Sequence, residues 1–132
     1  MSFGDELADL LHDHVLGGAD YPRPATVYVA LGTGSMKTST DNEVSGNAYA
    51  RVAVTNNATN WPASSTGSKS NGAAITFPQA TAAWGTMTHV AVFDAATDGV
   101  LLFEGVMDPA WPVGQGDTPE FAIGELTNVF DS

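Results

Sequence analysis

The chain has 132 residues, 43% hydrophobic and 14% charged, which is enough apolar side chain for one buried core and too apolar for a disordered chain. Fifteen acids against four bases (Arg23, Lys37, Arg51 and Lys69) give a net charge of −11, so there is no basic stripe for nucleic acid, and an anionic membrane surface would repel it. With no cysteine, disulfides, thiolate nucleophiles and zinc–thiolate sites are excluded.

The start, Met1-Ser2-Phe3-Gly4-Asp5-Glu6, is acidic and lacks the basic region of a secretory signal, and no apolar run approaches the ~18 residues of a membrane span. Residues 2–16 predict the one helix. Ser2 is its candidate cap, Asp5, Glu6 and Asp9 favour its N-terminal pole, and Leu7, Leu10, Leu11 and Val15 form an apolar stripe. Gly17-Gly18 ends it, and Pro22 and Pro24 block its restart. An isolated helix this short is marginal in water, so its stripe needs a surface to dock on.

Beyond Pro24 the pattern becomes β. Thr26-Val27-Tyr28-Val29-Ala30-Leu31 predicts a strand, 32–47 a loop, 49–55 an alternating strand, 56–73 a long polar loop and 74–77 a short strand. Residues 88–93 and 100–103 flank Asp94-Ala95-Ala96-Thr97-Asp98-Gly99, a hairpin signal, and are apolar on both faces, as central strands are. A Pro- and Gly-rich connection over 108–118 carries Trp111. A last strand over 120–130 places Phe121, Ile123, Thr127 and Val129 on one face. The expected fold is all-β, a single β-sandwich or partly closed barrel over 25–132, with residues 1–24 as an N-terminal helical arm.

Candidate chemistry is sparse. Gly32-Thr33-Gly34-Ser35-Met36-Lys37 has the flavour of a phosphate loop but lacks the glycine before the lysine and the following helix. His12 and His14 lie two apart, on different faces of a helix, where they cannot easily share a metal ion. Asp94, Asp98 and Gly99 fit three positions of a calcium loop, but Ala96 and Gly105 stand where two further ligands belong. His89 on a strand reads as a packing histidine, and Glu104, the one acid inside an apolar strand, has no paired carboxylate. These observations predict no enzyme, no metal and no cofactor. Trp61 and Trp111, on loops beside prolines, are candidate sugar or protein contacts, Trp84 less so.

Three stretches carry a resemblance. They are residues 10–18 followed by 25–31; Glu43-Val44-Ser45-Gly46 leading to Tyr49-Ala50-Arg51; and Ile75-Thr76-Phe77-Pro78 with Ala80, Trp84-Gly85-Thr86, His89 and Phe93-Asp94-Ala95-Ala96. Together they resemble a family of small tailed-bacteriophage virion proteins commonly labelled tail-fibre-like. The likeness runs to about residue 106 and continues loosely through Gly116-Asp117 and Phe121. It implies a structural protein of the virion, made in the host cytoplasm, with no catalytic residues.

A fibre shaft is usually built from repeats, triple-stranded β or coiled coil, and this chain has none, so alone it is a knob, a collar piece or a surface module. A compact β domain with an appended arm suits a capsid decoration or cement protein, which is the first expectation. A small tail or tail-fibre component is the alternative, and a carbohydrate-binding module using Trp61 and Trp111 a further one. Expected partners are a major capsid or tail protein and copies of the chain itself, as a dimer or trimer. The candidate interface residues are Leu7, Leu10, Leu11, Val15, Trp61, Trp111 and Phe130.

Overall fold

The β-branched and apolar run after Pro24 forms β2 (Thr26–Gly32), which lies between β3 (Val52–Thr55) and β6 (Gly85–Phe93) in an antiparallel five-stranded sheet. The computed structural model describes residues 2–129. In it, β6 pairs onward with β7 (Leu101–Val113), and β1 (Ser2–Phe3) completes the sheet in the order β1-β7-β6-β2-β3. Two short ribbons accompany it: β4 (Ser68–Ser70) with β9 (Thr127–Val129), and β5 (Ile75–Thr76) with β8 (Glu120–Phe121). One helix, α1 (Asp5–Leu16), precedes β2.

Both faces of the sheet are covered, which is why β6 and β7 are apolar on both sides. On the main face Val27, Val29, Leu31, Val90, Val92 and Leu102 pack with Ile75, Phe77 and Phe121 of the ribbon layer and with Leu7 of α1. On the other, Ala30, Ala91, Phe93 and Leu101 enclose Met36. The sheet stays open at β1 and β3, so the layers form a sandwich and do not close into a barrel.

Four local expectations are corrected. The helix begins at Asp5 rather than residue 2, because Ser2-Phe3 pairs with Phe103-Glu104 of β7 instead. Gly4 takes the capping position without a side-chain cap, and an added Cβ there would collide with the Leu101 carbonyl oxygen. Strand β3 starts at Val52 rather than residue 49, since Asn47 and Ala48 take left-handed backbone conformations and break the alternation ahead of it.

The third correction is at β7. It continues to Val113, so Trp111 and Pro112 sit in a strand opposite Met87 and Thr86. It is irregular, however: His89 pairs with Val106 and Met87 with Trp111, two steps along β6 against five along β7. Met107 to Ala110, four residues against Thr88 alone, bulge out of the ladder. Finally, the last strand is two short ones. Gly124 (φ 83°) turns the chain between them, and the Glu125 carboxylate accepts the Ala122 N–H at 3.0 Å. This turn leaves Ile123 68% exposed rather than on the core face beside Phe121.

The long polar segment 56–73 is knitted down. Asn57 Oδ1 accepts the N–H groups of Thr59 and Asn60, and buried Asn71 donates to the Ala73 and Ala122 carbonyls while accepting the Leu126 N–H.

Candidate functional site

The apolar stripe of α1 is divided by its docking. Leu7 is 3% exposed in the main core and Leu11 packs against it, while Leu10 is 39% exposed and Val15 72%. Leu7 therefore serves the fold, and Val15 faces solvent. Trp61 packs against the main core, with its backbone carbonyl accepting the Lys69 ammonium at 3.3 Å; its buried Nε1 has no hydrogen-bond partner among the described residues. Trp84 is buried, donates Nε1–H to the Asn47 carbonyl at 3.0 Å and stands edge-on to Tyr49. Trp111 packs edge-on to Phe121 with ring centroids 5.7 Å apart. Phe130 lies outside the described residues.

The residues weighed for chemistry hold structure. The Glu104 carboxylate is buried and accepts the Met36 N–H at 2.6 Å and the Ser35 hydroxyl at 2.9 Å. The loop that looked like a phosphate cradle is thus pinned by an anion from its own chain. Asp94 accepts the Val100 N–H at 2.7 Å, which closes the hairpin turn. His89 Nδ1 and the Thr88 hydroxyl share a hydrogen bond of 2.8 Å.

A buried polar cluster that sequence reasoning missed ties three loops together. Arg51 pairs with both carboxylate oxygens of Glu43 at 2.8 Å, donates to the carbonyls of Ala95 and Asp98, and lies 3.7 Å over the Phe93 ring. The Tyr49 hydroxyl donates to Glu43 at 2.7 Å and accepts the Leu31 N–H at 3.1 Å. Burial, with Glu43 alongside, pushes the Tyr49 phenol well above its ordinary range.

Two open grooves stand out among the described residues. One, about 620 Å³, lies between α1 and the sheet and is lined by Leu10, Tyr21, Tyr28, Val100, Glu6 and Asp94. Burial and then Asp94 raise the Tyr21 phenol. The other, about 630 Å³, runs between the β7 bulge and residues 120–127. Trp111, Met107, Phe121, Leu126 and Val90 line it, with Asp108, Glu120 and Glu125. Sequence reasoning singled out only Trp111 here. The available signal was Pro109 and Pro112 within four residues, since prolines inside a strand mark an edge or a bulge.

The comparison with known families adds a family to this picture of a β module. A family model described as podophage GP4 fiber I protein gp80 matches residues 2–128, and this is the class of phage protein that the three sequence stretches resemble. None of the curated proteins matches the chain.

Proposed function

Because the chain belongs to the podophage fibre I protein family, we propose that it is a non-catalytic structural component of a phage fibre, assembled with other virion proteins. The observation that carries this reading is the family match across residues 2–128, nearly the whole chain. It supports the small tail or tail-fibre component over the capsid decoration protein that the compact domain and arm first brought forward. The chain has no repeat and no coiled-coil segment, so it contributes a folded module to a fibre rather than the length of a shaft. Glu104, weighed for catalysis, is engaged by Met36 and Ser35, and Asp94, weighed as a calcium ligand, by Val100, which supports a structural role. Trp61 and Trp111 both pack against the core, so the carbohydrate-binding alternative has less support.

Quantitative mass spectrometry of purified particles, scaled to a capsid protein of known copy number, tests the reading. Tens of copies or fewer per particle is the expected result. Hundreds, in proportion to the capsid lattice, would return the protein to the capsid surface.

A further inference from the structure

The groove beside the β7 bulge combines three properties. It has an apolar floor: Val90, Phe121 and Leu126 are buried core residues, and Met107 and Trp111 pack on that core from the groove side. Its walls carry three carboxylates, those of Asp108, Glu120 and Glu125. It also runs beside an unpaired sheet edge, because β1 covers β7 only at Phe103 and Glu104, and among the described residues no strand pairs with the outer edge beyond. Val106 at the near end of the groove is 74% exposed.

We propose that this groove docks an extended segment of another protein that carries lysine or arginine beside an aliphatic anchor. The anchor lies on the apolar floor beside Met107 and the groove side of Trp111, and the cations meet the three carboxylates. Pro109 and Pro112 have no N–H, so an added strand gains only an incomplete backbone ladder, and recognition falls on side chains.

A second copy of this chain is the poorer occupant on charge. Of its four bases, Arg51 is held by Glu43 and Lys69 by the Trp61 and Pro62 carbonyls, which leaves Arg23 and Lys37 against a net charge of −11. The inference rests on this surface chemistry and goes beyond the assignment to a fibre. It stands or falls apart from where the protein sits on the particle.

The test uses the full chain, labelled for amide NMR and titrated with a synthetic peptide of alternating lysine and leucine. Two reference peptides replace lysine by glutamate or leucine by serine. Two variants are compared: Asp108→Asn/Glu120→Gln/Glu125→Gln in the groove, and Asp5→Asn/Asp9→Asn/Asp13→Asn on the exposed face of α1. Each removes three negative charges and takes −11 to −8. The expected result is shift changes confined to residues 105–111 and 120–127 with the lysine–leucine peptide, and far weaker changes with either reference. The groove variant should bind roughly tenfold more weakly, as loss of three partly exposed ion pairs implies, while the helix variant keeps its affinity. Asp108→Asn alone, at an exposed carboxylate with no hydrogen bond among the described residues, gives the same direction if the triple groove variant does not fold. Equal weakening in both triple variants would reduce the effect to diffuse charge attraction and overturn the proposal. So would shifts elsewhere, or absence of binding. Shifts in 105–111 on concentrating the protein alone would make a second copy the occupant and overturn it as well.

Discussion

Arg51 is removed from water and given an acceptor for each of its donor groups, so its contribution shows best when it is taken away. Arg51→Ala leaves Glu43 as a buried charge without its partner and should cost about 3–5 kcal/mol in urea denaturation. Arg51→Lys should not restore the loss, because a single ammonium cannot span both Glu43 oxygens and the two carbonyls. Tyr49 adds a dependence on pH. Its phenol is held protonated in the fold, so the native state keeps a proton that the unfolded chain gives up above about pH 10. Stability from this group is complete below that pH and declines as pH rises beyond it. Tyr49→Phe should flatten that alkaline decline while costing about 1–3 kcal/mol at neutral pH, because the Leu31 N–H loses its acceptor. None of this was legible beforehand. Arg51 and Glu43 are eight positions apart in a segment of mixed loop and strand, and nothing in the spacing shows that they meet over the Phe93 ring. The scarcity of bases was the one hint that a buried arginine had work to do.

At the scale of elements, periodicity read the core well and the connections poorly. Val27, Val29 and Leu31 share a face as their alternation requires, and the stretches of β6 and β7 that are apolar on both sides are covered on both sides, as is β2 at Ala30. The leucine stripe of α1 was equally legible, but not which part of it docks, because that depends on Ser2-Phe3 pairing with β7. Leu7→Ala should therefore destabilise by about 2–5 kcal/mol, whereas Val15→Ala, on the solvent side, should stay within about 0.5 kcal/mol. Chemical denaturation of the two variants side by side checks the contrast. Equal small effects would mean that the helix is a free arm. The divided last strand was hidden because Phe121, Ile123 and Thr127 fit an alternation that the left-handed Gly124 interrupts. The β7 bulge was obscured by its two prolines, which read more simply as loop.

For the whole molecule, the net charge of −11 also shapes assembly. Copies carrying −11 repel one another, and salt screens that repulsion within a Debye length of ~8 Å at physiological strength. Exposed apolar residues of α1 such as Val15 and Leu16 favour contact away from the groove. Self-association should therefore strengthen as salt rises, in sedimentation runs of the pure protein, while docking of a basic segment weakens. A monomer at every salt and protein concentration would contradict the first trend. The resemblance of the three stretches brought out the phage virion class, but head against tail was not legible, because a compact β module with a leucine-striped helix suits either place. The central claim, a structural component of a phage fibre, is tested most directly by electron microscopy of purified particles with a gold-labelled antibody against this chain. The account predicts gold on the fibres, with bare capsid faces. Label spread evenly over the capsid, or particles that carry none of the protein, would contradict it.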